Sequence, residues 1–154
     1  MTLTRRSLLL AVLAIPVAGT ILRPAVAGER EVFSNGGVAI SGYDPVAYFT
    51  EGRPVKGDAA HALMWHGATW YFVNAATMEA FEMNPLAYAP QYGGYCAYAM
   101  TKGAIAPTVP EAFSVVGGRL YLNYSTEVRT IWARDIPDNI ALADAHWAGV
   151  LDDK

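Results

Sequence analysis

Polar and apolar positions along this chain change rhythm several times, and each change marks an element. An unbroken apolar run covers Leu8 to Ile15, shorter than the roughly 18 apolar residues that a membrane-spanning helix needs. Gly28 to Asn35 is polar and reads as loose at its start, and Val38-Ala39-Ile40 predicts a short strand. Asp44-Pro45 reads as an N-cap followed by proline at the first helical position, opening one or two turns through Phe49. Gly52 to Ala60 is a turn-rich connection. Ala62–Trp65 and Thr69–Val73 predict paired strands around a His66-Gly67-Ala68 turn. Asn74 then caps a helix over Ala75–Met83, with Ala75, Met78 and Phe81 on one face, and Asn84-Pro85 ends it and starts a short turn to Tyr88. Gly93-Gly94 opens a short helix that carries Cys96 and ends at Gly103. After a loop marked by Pro107 and Pro110, Phe113–Val116 and Arg119–Asn123 flank Gly117-Gly118, a strong signal for a tight hairpin. Ser125 caps a helix through Trp132 or Arg134, Ile136-Pro137 breaks it, and a last helix runs from Asp138 to Trp147. Short strands in hairpins with short helices around them predict a single α+β domain.

The N-terminus changes where that domain is expected to work. Arg5-Arg6, the apolar run and Ala25-Val26-Ala27 form the three-part layout of a secretory signal over residues 1–27. The paired arginines fit both the twin-arginine route and the ordinary secretory one. Cleavage after Ala27 leaves Gly28 to Lys154 as one domain in the periplasm or outside the cell, with no segment left that could span a membrane. It also removes Arg5, Arg6 and Arg23 from the 11 basic residues that face 14 acidic ones, taking the formal net charge from −3 toward −6. An acidic chain without a basic cluster argues against nucleic acid or anionic lipid as partners. The 18 aromatic residues all follow the signal, which predicts an aromatic-rich core.

The densest chemistry lies in Gln91-Tyr92-Gly93-Gly94-Tyr95-Cys96-Ala97-Tyr98-Ala99-Met100. Cys96 is the only cysteine, so in a disulfide-permitting compartment it is a free thiol, an intermolecular bridge or a metal ligand. A helix starting at Gly94 or Tyr95 would put the thiol in its first turn, where backbone N–H groups favour a thiolate. Cys96 and Met100 would then share a face, a thiolate and a thioether suited to Cu(I) or another soft metal. His61, His66 or His146 would have to supply a third ligand. A single-thiol redox protein is the enzyme reading. Lacking a resolving cysteine, it needs an external thiol or a partner thiol protein, with a sulfenic acid as its first oxidised state. The third reading makes Cys96 a small core residue in a structural domain. Gln91, Tyr92, Tyr95 and Tyr98 are candidate ligand-binding residues around the thiol, joined by Tyr43 and Asp44 if the two motifs pack together. No nucleophile elbow, zinc-protease pair or phosphate loop occurs.

Several motifs in order resemble one family. Ser41-Gly42-Tyr43-Asp44-Pro45-Val46-Ala47-Tyr48-Phe49 resembles the opening of the YHS domain, and Gly67-Ala68-Thr69-Trp70-Tyr71-Phe72, Phe81, Pro85 and Tyr88 continue the likeness. Gln91–Tyr98, Gly118–Ser125 and Asp135-Ile136-Pro137 are similar to the exported branch of YHS domain-containing (seleno)proteins. The resemblance implies a small treble-clef or zinc-ribbon-related domain with a C-terminal hairpin and helices. Metal-binding YHS domains carry cysteines where this chain has Ala47, Val73 and Thr77, so that metal site is not implied here. Selenocysteine stands at the position of Cys96 in some members, which implies redox or soft-metal chemistry there. Together these expectations describe an exported soft-metal or small-ligand binding module centred on Cys96.

Overall fold

The computed structural model describes residues 31–150, so the predicted export signal lies outside the described residues. The observed architecture is α+β. Strands β1 (Ser34–Asn35), β2 (Val38–Ala39), β3 (Asp58–Trp65) and β4 (Ala68–Phe72) form one sheet in the order β1-β2-β4-β3. Only the β2–β4 pair is parallel. The second sheet is a hairpin of β5 (Phe113–Val116) and β6 (Arg119–Leu122). Helices α1 (Ala47–Thr50), α2 (Ala75–Met83), α3 (Pro85–Tyr88), α4 (Ala97–Met100), α5 (Thr126–Trp132) and α6 (Ile136–Val150) surround the sheets. None of the described helices is long and apolar enough to cross a membrane.

The hairpins follow from local chemistry. His66 and Gly67 (φ 48° and 73°), and Gly117 and Gly118 (57° and 73°), are left-handed pairs, which match the twist of the strands they join. Along β4 burial alternates, with Ala68, Trp70 and Phe72 inward, as a half-buried strand requires. α2 starts as expected: the Asn74 side chain accepts from Thr77 N–H, and the Thr77 hydroxyl completes a capping box. It buries Phe81 against Trp70 and Phe72, ring centroids 5.2 and 5.3 Å away, while Ala75 is exposed.

Two core clusters result. The first gathers Val32, Ile40, Val46, Tyr48, Trp70, Phe72, Phe81, Leu120 and Leu122 between the larger sheet, α2 and β6. The second gathers Tyr92, Ala97, Met100, Tyr121, Trp132 and Ala143 between α4, α5, α6 and the other face of β6. Leu120 and Leu122 face one cluster and Tyr121 the other, so β6 is the wall between them.

Ahead of β1, Phe33 N–H donates to the Gly93 carbonyl (2.9 Å) and Ile40 N–H to the Phe33 carbonyl (3.0 Å). Three local expectations are corrected. β3 begins at Asp58, inside the segment read as a connection. Pro137 does not precede the last helix; it sits in the first turn of α6, where its missing N–H costs no intrahelical bond. Asp44 is not the N-cap of a helix beginning at Pro45, since α1 starts at Ala47 after Val46.

Asp44 has a larger task. It is fully buried. One carboxylate oxygen accepts from Val46 N–H and the other from Val73 N–H, each at 2.8 Å. The side chain therefore clamps the turn before α1 to the end of β4 through charge-assisted bonds. Asp44→Asn keeps the shape but turns an N–H donor toward one of these two donors. Urea denaturation is expected to show a loss of about 2–3 kcal/mol. The exposed Glu82→Gln control should stay within about 0.5 kcal/mol. Equal stability of the two variants would contradict the clamp.

Candidate functional site

The Gln91–Met100 segment is built differently from the expected helix. Gln91–Gly94 is a 3-10 turn interrupted by left-handed Tyr92 (φ 56°) and Gly93 (φ 61°), and α4 is only the four residues Ala97–Met100. The helix does not start at Gly94 or Tyr95, because those left-handed residues take the chain around a corner first. Gly93 is dictated by contact: a Cβ there would collide with the Glu31 carbonyl oxygen of the chain crossing over it.

Cys96 lies at the base of this corner, 1 % exposed. It is the N-cap of α4, and its sulfur accepts from Ala99 N–H at 3.5 Å. Tyr124 N–H donates to the same sulfur at 3.3 Å. The thiol faces Asn123 Oδ1 at 3.6 Å, and that oxygen also accepts from Tyr98 N–H at 3.1 Å. The main chain of Cys96 donates to the Ala106 carbonyl and forms a parallel bridge with Leu122. Asn123 is itself fully buried, and Tyr98 N–H fixes which way its amide points. Among the described residues its Nδ2 finds no partner, and neither does Trp132 Nε1. Burying such a donor costs about 1–3 kcal/mol.

The other named residues divide into three groups. Met100 is fully buried in the second cluster. Tyr95 packs on Phe33 with ring centroids 5.8 Å apart, and Lys102 Nζ lies 4.6 Å from the centre of the Tyr98 ring. Tyr43 pairs with Lys56, whose ammonium sits 4.8 Å from its ring centre, while Asp44 holds Val46 and Val73. None of these partners of Tyr43 and Asp44 belongs to the Cys96 segment. Gln91 and Tyr92 instead line a cleft.

That cleft, about 190 Å³, opens where the two core clusters meet. Trp65 and Trp70 from the first cluster line one part of it, Tyr92 and Trp147 from the second another, and Glu31, His66, Leu86, Ala89, Pro90, Gln91 and Gly93 join them. Glu31 Oε1 and His66 Nδ1 are 2.5 Å apart, tying the segment before β1 to the β3–β4 turn. The imidazole lies against the Trp65 ring, centroids 3.9 Å apart. Tyr92 donates its hydroxyl to Asp144 at 2.8 Å and meets Trp147 edge to face at 6.0 Å. Burial first, then the Asp144 carboxylate, push the Tyr92 phenol above its ordinary pKa, so the ring stays a neutral donor. Sequence reasoning named Gln91 and Tyr92 but missed Glu31, His66 and Trp147 as their neighbours. The one available signal was the Gly93-Gly94 pair, which marks a crossing without saying which chain crosses.

The residues present do not fit a soft metal at Cys96. The sulfur is sealed from solvent and already accepts from two N–H donors, and no group of three or more His, Cys, Asp or Glu side chains among the described residues could hold an ion. The three histidines are spread out: His61 on β3, His66 beside Glu31, and His146 against Gly103. No model of a known protein family matches the chain, and neither a curated protein nor a solved structure matches it significantly.

Cys96→Ala removes an acceptor from Ala99 and Tyr124 and should cost about 2 kcal/mol in chemical denaturation. Cys96→Ser retains a capping oxygen and should recover at least half of that loss. Equal losses would mean that side-chain size, not the bonds to sulfur, is what this position supplies.

Proposed function

We propose that the chain is an exported, YHS-like small-ligand-binding domain whose ligand enters the aromatic cleft beside Gln91–Gly93. The observation that carries this reading is the division of labour within one segment. Gln91, Tyr92 and Gly93 line a cleft walled by aromatic rings, while Cys96, a few residues on, is sealed against β6. Concave, mostly apolar clefts with a few polar groups are where small molecules bind. A junction between two core clusters supplies rigid walls on both sides.

Cys96 then acts as an anchor that fixes the corner, and the expectation of a soft-metal site at the thiol gives way to a ligand site beside it. The YHS-like assignment rests on the ordered motifs, and export to the periplasm or beyond rests on the N-terminal signal pattern. In this reading the positions of the metal-binding cysteines have structural duties. Ala47 is fully buried, Val73 N–H bonds Asp44, and Thr77 closes the α2 capping box.

The test is a fragment titration of the mature chain followed by amide and indole NMR, using small aromatic, amine and carboxylate probes. Saturable shifts are expected at Gln91, Tyr92, Gly93 and the Trp65 and Trp147 indoles, and Trp147→Ala should weaken the best probe at least about fivefold. Shifts centred on Cys96, or no saturable binding by any probe, would overturn the reading.

A further inference from the structure

The chemistry of the cleft's lining narrows its ligand, on the reading that the cleft is the binding site. The aromatic side chains Trp65, Trp70, Trp147 and Tyr92 line it together. Aromatic faces carry negative electrostatic potential and attract cations, tryptophan most strongly. The polar edge of Trp70 is already used, since Nε1 donates to the Trp65 carbonyl at 3.0 Å. Trp70 is also 1 % exposed, so it backs the more open Trp65 ring and does not itself present a face.

The charges in the cleft agree with the rings. Among the described residues that line the cleft, Glu31 is the one carboxylate and there is neither lysine nor arginine. His66 holds Glu31 by one oxygen at 2.5 Å, which ties the acidic group to the same turn that follows Trp65. The surrounding chain is acidic, with 14 acidic residues against 11 basic ones before the signal is removed. An anionic ligand would meet the Glu31 carboxylate and the ring faces, and His66, the one described lining side chain able to carry positive charge, is already engaged by Glu31. A volume of about 190 Å³ exceeds the roughly 150 Å³ cavity that takes up benzene, which is room for one compact head group and not for a long chain.

We propose that the cleft binds a small organic cation with a fully alkylated ammonium head, held against the rings of Trp65 and Trp147 and balanced by Glu31. The ammonium methyl groups rest on the rings, and the carboxylate stabilises the charge from the side. A metal ion is not the fit, because one carboxylate and aromatic carbon cannot replace a hydration shell.

The experiment compares choline chloride with 3,3-dimethylbutan-1-ol, its uncharged isostere, by calorimetry and indole NMR on the mature chain, with sodium chloride matching ionic strength. Choline is expected to bind at least about tenfold more tightly than the alcohol. Glu31→Gln, at an exposed position that leaves the core intact, should weaken choline about fivefold and leave the alcohol unchanged. Trp147→Ala should weaken both. Equal affinity for the two probes would overturn the cation preference while leaving the cleft as a ligand site. Binding of neither, alongside a panel fragment that does saturate the cleft, would overturn it as well. Silence from choline, the alcohol and the whole panel would remove the cleft reading itself.

Discussion

The fold of the functional region depends on one knot: the sulfur of Cys96 and the amide of Asn123, buried together between α4 and the end of β6. The sulfur takes N–H groups from Ala99 and Tyr124, and the amide oxygen takes one from Tyr98. Each bond is weak by itself. Together they satisfy main-chain donors at a place where the chain leaves a left-handed corner and starts a four-residue helix too short to hold itself. The knot fixes the lower end of the corner, while Phe33 N–H on the Gly93 carbonyl and the Tyr92 hydroxyl on Asp144 hold the residues that form part of the cleft wall.

The second constraint is the crossing at Gly93. The chain at Glu31 passes so close that no side chain fits beneath it, and Phe33 bonds the Gly93 carbonyl. The crossing brings Glu31 to the cleft and lets it reach His66 on the β3–β4 turn. Trp147 arrives from the other direction on α6, held by its edge-to-face contact with Tyr92. Four separated parts of the chain thus meet where the two cores adjoin. Such a junction is rigid because each wall is packed on its own cluster.

Much of the fold was legible because its signals are local. Gly117-Gly118, His66-Gly67, Asn74 and Ser125 each act within a few residues, and the elements they predict are present. The α+β class followed from them. The errors share a cause too. Asp44 read as a cap because its neighbours in sequence were visible and Val73 was not. The Cys96 helix was started too early because left-handed Tyr92 has no sequence signature, tyrosine being an unusual residue to hold that geometry. The cleft was half legible: Gln91 and Tyr92 lie in the marked segment, whereas Glu31, His66 and Trp147 join them only through long-range packing. The thiol drew attention as the single reactive group in the chain, but its burial depends on β6, 26 residues further on at Leu122.

Whether Cys96 is a sealed anchor is read most directly from the rate at which iodoacetamide alkylates it in the native mature chain, set against the rate in the urea-unfolded chain. Native alkylation is expected to be at least about 1,000-fold slower, rising in step with global unfolding as urea is added. A native rate within about tenfold of the unfolded one, independent of urea below the transition, would contradict this and return the chemistry of this domain to the thiol.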